Sequence, residues 1–183
     1  MKGILLASHG RLAEGLLDTL QNFCGELQQM QALCLLPGEE ITEFMEKLEA
    51  AIQKVDTGEG VVIFCDLLFG SPCNCSARLL QDAKYAEKIS VITGMNLCMV
   101  LEYIGSGAAG MDREALVDTG HKGIVDFNKL LRERQAAKCR RRWSYEGRGD
   151  QRHIKQPSDL LCAAWNPLCN SESRNWSLPK RIG

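Results

Sequence analysis

The chain has 183 residues, of which 45% are hydrophobic and 25% are charged, a composition ordinary for a globular protein with room for one well-buried domain. The charge is unevenly distributed: residues 1–135 hold 12 basic and 19 acidic side chains, a net charge of −7, whereas residues 136–183 hold 10 and 4, a net charge of +6. The acidic character of the first part argues against a nucleic-acid-binding domain.

Strand and helix patterns alternate along the first 122 residues, which predicts βαβ units and an α/β fold with a parallel sheet. Leu6, Val62 and Phe64 are expected to be the most deeply buried residues, because they lie in the apolar runs of that sheet. Short apolar runs predict strands at residues 3–7, Met30–Leu35, Val61–Cys65 and Ile89–Thr93. Apolar residues at helical spacing predict helices at residues 11–24, 39–54, 71–82, 97–104 and 112–122, and residues 124–131 form a last ordered segment.

Beyond Gln135 the sustained periodicity ends. Residues 138–142 form a basic cluster, and all three tryptophans of the protein (Trp143, Trp165 and Trp176) follow it. We interpret residues 135–183 as a disordered or non-native tail rather than a second folded domain. The basic cluster is compatible with contact to nucleic acid or anionic lipid, but a cluster of only four basic residues is a weak indication.

Several kinds of site are excluded by what the sequence lacks. It has no run of about 18 apolar residues and no signal-peptide pattern, so we expect neither a transmembrane helix nor export. The nine cysteines are then expected to be reduced, packed thiols. Because there is no Cys-x-x-Cys pair and no Gly-x-x-x-x-Gly-Lys-Ser/Thr phosphate loop, neither a metal site nor a bound cofactor is predicted.

His9 follows the first predicted strand and precedes the first helix. In open α/β sheets this edge is where ligands bind, and the N-termini of helices there favour phosphate. At this point His9 has two interpretations: a nucleophile that carries a phosphoryl group, or a turn residue that caps the helix.

Asp66 follows the third strand and is expected at the same edge. A carboxylate that accepts a hydrogen bond from one imidazole nitrogen fixes the tautomer and leaves the other nitrogen free as a nucleophile. Ser71-Pro72 has the pattern of an N-cap followed by proline at the first helical position, so Ser71 would offer its hydroxyl and nearby N–H groups to phosphate. Gly10 and Gly70 complete the predicted phosphate-binding group. Asp66 alone is more often a cap, but its conjunction with His9 and Ser71 favours phosphoryl transfer.

Five short motifs stand out together in this part of the chain. They are His9-Gly10, Leu36-Pro37-Gly38-Glu39, Val61–Cys65 with Asp66 and Gly70-Ser71-Pro72, Thr93-Gly94-Met95-Asn96-Leu97, and Thr119-Gly120-His121-Lys122-Gly123-Ile124. As a set they resemble the mannose-family IIA component of the bacterial phosphoenolpyruvate-dependent sugar phosphotransferase system. The resemblance covers residues 1 to about 134, which we take as the IIA domain.

The resemblance implies a doubly wound, mainly parallel sheet with helices on both faces, a three-layer sandwich that forms homodimers by exchanging a C-terminal strand, here residues 124–128. It implies that Nε2 of His9 accepts a phosphoryl group from the carrier protein HPr, with Asp66 bonded to Nδ1. The group would pass to a histidine on a IIB component, and through IIB to the IIC and IID membrane components. The protein would then be cytoplasmic and peripherally associated with the transporter.

Two positions depart from the family pattern. Phe69 stands where the first of two glycines is usual, and if that position requires a positive φ, phenylalanine costs about 1–2 kcal/mol. Cys98 stands where proline is usual. Three alternatives stay open: the phosphocarrier subunit of dihydroxyacetone kinase, a regulatory module without onward transfer, and a degenerate paralogue with packing roles only.

Overall fold

In the computed structural model, which describes residues 2–107 and 112–146, four parallel strands form one sheet. The strands are β1 (Gly3–His9), β2 (Met30–Leu35), β3 (Val61–Cys65) and β4 (Ile89–Thr93), in the order β2-β1-β3-β4. The four predicted strands are confirmed. β1 is two residues longer than predicted, so that it includes His9.

Helices cover both faces of this sheet, which confirms the predicted three-layer α/β architecture. α1, α4 and α5 pack on one face, and α2 and α3 pack on the other. The helices of the first 125 residues are α1 (Leu12–Cys24), α2 (Ile41–Val55), α3 (Ser71–Leu79), α4 (Leu97–Ser106) and α5 (Arg113–Lys122).

The central strand β1 contributes side chains to both cores because successive residues of a strand point to opposite faces. Ile4 and Leu6 lie in the core under α1, α4 and α5, whereas Leu5 and Ala7 lie in the core under α2 and α3. By the same alternation His9 continues the side that faces α3. The alternation of the buried side chains along β1 therefore determines the face of the sheet on which His9 lies.

The three residues expected to be most deeply buried are buried. Leu6 and Phe64 are fully enclosed, and Val62 is 5% exposed. The Phe64 ring packs edge-on against Tyr103 of α4, with ring centroids 5.8 Å apart. Phe64 therefore packs β3 against the helical layer that contains α4.

Truncating this ring is expected to destabilise the domain strongly. Phe64→Ala should lower the free energy of unfolding by about 3–5 kcal/mol, because it removes buried apolar surface and leaves a cavity. Equilibrium unfolding in urea measures this, with Phe23→Ala as the control because Phe23 is 67% exposed on α1. The control should change stability by no more than about 0.5 kcal/mol. Similar losses for both variants would contradict the central placement of Phe64.

The prediction of a strand at residues 124–128 is wrong. Residues 124–126 adopt no regular structure, and a sixth helix, α6 (Phe127–Glu146), begins at Phe127. An unpaired strand leaves its backbone N–H and C=O groups without partners, whereas a helix pairs them internally. The sequence after Asn128 is rich in Leu, Arg, Glu, Gln, Ala and Lys, which all favour the helix.

α6 belongs to a second compact unit, which begins at Asp126. The predicted boundary between residues 134 and 135 falls inside this helix. The interpretation of residues 135–183 as a disordered or non-native tail stays a prediction, and residues 147–183 lie outside the described part of the chain. No described helix is long and apolar enough to cross a membrane.

The cysteines whose side chains the structure describes are free thiols, as predicted. They were also predicted to be packed in the interior, and this prediction is wrong for Cys24 and Cys98, which are exposed. Among the side chains described, those of residues 2–107 and 112–137, no three His, Cys, Asp or Glu side chains are grouped so that they could hold a metal ion. The free thiols are Cys24, Cys34, Cys65, Cys73, Cys75 and Cys98, and Cys139, Cys162 and Cys169 lie outside the described side chains.

Candidate functional site

The structure brings His9 and Asp66 together at the carboxyl edge of the sheet. β1 and β3 run side by side with Ala7 opposite Cys65, so the residues that follow them in each strand emerge as neighbours. Nδ1 of His9 lies 2.9 Å from Oδ2 of Asp66, and the backbone N–H of His9 donates to the same oxygen at 2.8 Å. Two donors of one residue therefore fix the carboxylate against the ring.

Asp66 is held in its ionised form. Partial burial by itself acts to raise the pKa of this carboxyl group, but the hydrogen bonds from the backbone and ring of His9 and from the Leu67 N–H outweigh it, so the pKa is lowered. The Leu67 N–H donates to Oδ1 at 2.8 Å, so both oxygens accept.

An ionised carboxylate only accepts hydrogen bonds, so Nδ1 of His9 must be the donor in this contact. In the neutral ring Nε2 then carries the free lone pair. The His9 side chain is 43% exposed, whereas that of Asp66 is 12% exposed. The nucleophilic nitrogen of His9 is therefore accessible to another molecule, whereas the carboxylate of Asp66 that holds the ring is largely buried.

Gly70 lies directly against the His9 ring. A Cβ built on Gly70 would lie 2.5 Å from Cε1 and 3.3 Å from Nε2 of His9. The backbone of Gly70 has φ −69° and ψ 165°, a conformation open to any residue, so close approach rather than backbone freedom requires glycine here.

The prediction that Ser71 is the N-cap of α3 is wrong by one residue. Gly70 occupies the N-cap position, its carbonyl accepts the Asn74 N–H at 2.9 Å, and Ser71 and Pro72 are the first two helical residues. Ser71 was expected as the cap because of its side chain. The extended backbone of Gly70 takes that position instead, and Pro72 is tolerated because the first turn needs no donor from it.

A methyl group at residue 70 should disturb the histidine more than the fold. We expect Gly70→Ala to slow phosphoryl transfer to His9 by at least about tenfold, since a displacement of about 1 Å in a reacting group can cost a hundredfold. Initial rates of phosphorylation measure this. The matched control is Gly15→Ala, which adds its Cβ to open space on α1 and should keep the wild-type rate. Equal rates for wild type and Gly70→Ala would contradict the tight packing of the ring.

The first turn of α3 offers donors beside His9. The first intrahelical bond is made by Asn74, so the N–H groups of Ser71 and Cys73 precede it, and Pro72 has no N–H. These groups and the positive end of the helix favour an anion. Sequence reasoning named Ser71 for this role and missed the N–H of Cys73, which helix geometry alone would have indicated.

The backbone amide of Gly10, which was predicted to bind phosphate together with Ser71 and Gly70, is already hydrogen-bonded within the protein. Gly10 has a φ of +54° in the turn between β1 and α1, and its N–H donates to the Leu35 carbonyl at 2.8 Å. The N–H of Gly70 similarly donates to the Leu67 carbonyl at 3.1 Å. Both amides are engaged in shaping the loops, so a phosphate-binding role for Gly10 and Gly70 stays a prediction.

The loop between Asp66 and Gly70 holds Phe69 in a left-handed conformation. Its φ is +61°, and it is the one non-glycine residue with positive φ within the described ranges. The position at which the resemblance leads us to expect glycine therefore has a positive φ in this chain, and phenylalanine costs about 1–2 kcal/mol there. Nδ2 of Asn74 donates to the Phe69 carbonyl at 2.9 Å and fixes the loop. Asn74 had no role in the sequence-based prediction.

Ser8 is a second residue that sequence reasoning missed. It is fully buried, and its hydroxyl accepts the Ala13 N–H at 2.8 Å. A strand residue thereby satisfies a free donor in the first turn of α1, as an N-cap side chain does. The polar residue at the end of an otherwise apolar strand was the available indication. Ser8 anchors the helix that follows His9.

Cys65 precedes Asp66 and is inactive as a competing nucleophile. Burial raises the pKa of its thiol to about 12, which outweighs the hydrogen bond with Ser76. The thiolate is therefore absent at neutral pH, and the thiol itself is a poor nucleophile.

The glycine-containing motifs at residues 93–97 and 119–124 pack on each other rather than on His9. Asn96 caps α4 by accepting the Met99 N–H at 3.1 Å, and its Nδ2 donates to the Gly120 carbonyl at 3.4 Å. A Cβ on Gly120 would overlap Met99, and one on Gly123 would lie 2.5 Å from Sγ of Cys98. These motifs join α4 to α5, and His121 is exposed on α5.

Comparison with known proteins points to one family. The sequence pattern of the family described as PTS system fructose IIA component matches residues 3–119, more than half of the chain. The matched span begins with β1 and ends in α5, so it contains every residue of the site described above.

Individual relatives agree with this match. The chain is 32% identical over 125 residues to the PTS system mannose-specific EIIAB component of Escherichia coli K12, covering 66% of this chain but only 38% of that protein's length. It is 28% identical over 137 residues to the PTS system sorbose-specific EIIA component of Lacticaseibacillus casei, covering 75% of this chain and 96% of that protein. Among solved structures, the PTS IIA protein associated with the fucose utilization operon of Streptococcus pneumoniae superposes with a TM-score of 0.65 at 29% identity, covering 71% of this chain and 96% of that one.

Proposed function

Because this chain belongs to the mannose-family IIA components of the sugar phosphotransferase system, we propose that it carries a phosphoryl group on Nε2 of His9. The observation that carries the proposal is the contact between Nδ1 of His9 and Asp66, which leaves Nε2 as the free nitrogen of an exposed ring.

The proposed reaction is a direct transfer between two histidines. The lone pair of Nε2 attacks the phosphorus of phosphohistidine on HPr, a new P–N bond forms, and the old P–N bond breaks and returns its electron pair to the donor ring. Positive charge develops on the His9 ring as the bond forms, and the ionised Asp66 stabilises it through the Nδ1–H. No proton has to leave His9 during the transfer, since Nε2 reacts through its lone pair.

The first turn of α3 would hold the transferred group. The hydroxyl of Ser71 and the N–H groups of Ser71 and Cys73 can donate to the phosphoryl oxygens, and the helix dipole adds favourable potential. Gly70 allows this turn to come close to the ring.

From His9 the group passes to a histidine on a IIB component, which serves the IIC and IID membrane components. The protein then acts in the cytoplasm, at the membrane only through these partners. The chain spans 38% of the length of the Escherichia coli EIIAB protein. The chemistry proposed for His9 is the same whether the IIB component is a separate chain or not.

We also propose that the protein is a homodimer. β4 has a neighbouring strand on one side only within the described sheet, and Ile124 and Val125 are 75% and 54% exposed. In the dimer the second chain would cover these two side chains and pair with the free edge of β4. Light scattering on the purified chain tests this, and a monomeric mass overturns it.

The test of function is phosphorylation of the purified full chain with phosphoenolpyruvate, enzyme I and HPr, followed by intact mass and peptide mapping. One acid-labile phosphate on the peptide containing His9 supports the proposal, and no phosphate on the folded protein overturns it. Addition of a IIB component then separates relay from regulation. Phosphate that moves to IIB supports onward transfer, whereas phosphate that stays on His9 supports the regulatory alternative.

A further inference from the structure

Three consecutive apolar side chains project into solvent beside His9. Leu67, Leu68 and Phe69 are 60%, 55% and 78% exposed. Leu12, the first residue of α1, and Leu36, directly after β2, are also exposed at this edge of the sheet. Contiguous exposed apolar surface of this kind marks a site of interaction with another molecule.

Phe69 is unfavourable for the isolated domain in two ways. Its backbone has a φ of +61°, which glycine would adopt without strain, and its ring is more exposed than any other large apolar side chain for which burial is described. Neither feature contributes to the core. A residue that is costly both in backbone conformation and in hydration is best explained by a contact that exists only in a complex.

The 67–69 loop is fixed relative to the reacting nitrogen. It begins at Asp66, where the Leu67 N–H holds the carboxylate, and it ends at Gly70, which packs on the His9 ring. The carbonyl of Phe69 is held by Asn74. Any protein that brings a phosphorus atom to Nε2 of His9 must therefore cover this loop.

We propose that the 67–69 loop is the apolar docking anchor for the protein that donates the phosphoryl group, with Phe69 inserted into a recess beside the donor's phosphohistidine. This rests on the proposed function of His9. The donor depends on such an anchor more than the acceptor does, because residues 1–125 hold 9 basic and 17 acidic side chains, which repel the phosphorylated donor more than the unphosphorylated acceptor. Arg11, the arginine closest to His9 in the sequence, is paired with Glu14 at 2.9 Å. Apolar contact has to supply the affinity that charge does not.

The test compares the initial rates of transfer from phospho-HPr for wild type, Phe69→Gly and Phe69→Tyr over a range of donor concentrations. Phe69→Gly should raise KM roughly tenfold or more, as loss of an aromatic anchor does, with little change in kcat. It should not lower the midpoint of thermal unfolding, because glycine relieves the positive φ. Phe69→Tyr keeps the ring and should stay near the wild-type KM. Phe23→Ala, which removes an exposed ring far along α1, is the matched control and should behave as wild type.

A second donor separates docking from chemistry. Phosphoramidate phosphorylates histidine without any protein surface, so its rate with Phe69→Gly should match that with wild type. An unchanged KM for phospho-HPr overturns the inference, as do equal losses with both donors, which would mean that the loop acts on His9 itself. A raised KM for the IIB component alone, or a change in oligomeric state, would assign the loop to another occupant. If wild type accepts no phosphate from either donor, the proposed function fails first.

Discussion

The His9→Ala variant should accept no phosphate from phospho-HPr, while it folds as the wild type does. The loss is complete because Nε2 is the only atom of the site that forms the new bond in the proposed reaction. Stability should change little, since the side chain is 43% exposed and the backbone N–H of residue 9 still donates to Asp66. Intact mass after incubation with phosphoenolpyruvate, enzyme I and HPr measures the outcome, and thermal unfolding checks the fold.

His121→Ala provides the matched control for this variant. His121 is exposed on α5 and takes no part in the contacts around Asp66, so this variant should gain one phosphate as the wild type does. Phosphate on His9→Ala at the wild-type level, or its loss in His121→Ala, would identify a different acceptor. Either result would overturn the assignment of the nucleophile.

The meeting of His9 and Asp66 could be predicted from sequence because it depends on a general property of parallel sheets. Two apolar runs, each followed by a polar residue, give two strands whose carboxyl ends share an edge. The burial of Leu6, Val62 and Phe64 follows from the same apolar runs. These features are set by hydrophobic patterning, which is visible without coordinates.

Other features depend on contacts between residues far apart in the sequence, and these were missed. The N-cap residue of α3, Gly70, has to be a glycine because the His9 ring leaves no space for a side chain there, and no local propensity reveals a ring from another strand. The positive φ of Phe69 was anticipated only through the family glycine. Residues 124–128 were predicted as a strand that pairs with a partner chain. In the single chain, α6 begins at Phe127 instead, and the backbone N–H and C=O groups from there on are paired within the helix.

Replacing Asp66 with asparagine should slow phosphoryl transfer by roughly a hundredfold to ten-thousandfold, the range seen when the anionic partner of a catalytic histidine is neutralised. The neutral amide cannot balance the positive charge that develops on the His9 ring. It also places an NH2 group against a backbone N–H, because one carboxylate oxygen accepts from His9 and the other from Leu67. Single-turnover rates with phospho-HPr measure the effect, and the final mass should still show one phosphate when the reaction is given time.

Asp56→Asn separates this loss from a general effect of neutralising a capping carboxylate. Asp56 also accepts two backbone N–H groups, from Gly58 and Gly60 at 2.8 and 2.9 Å, but it lies in the turn before β3, at the other end of the sheet. All its bonds go to one oxygen, which the amide oxygen of asparagine can replace. Asp56→Asn should therefore transfer at the wild-type rate. If the two variants slow the reaction equally, Asp66 acts through loop structure alone, and the electrostatic support of the phosphorylated ring is not what the carboxylate provides.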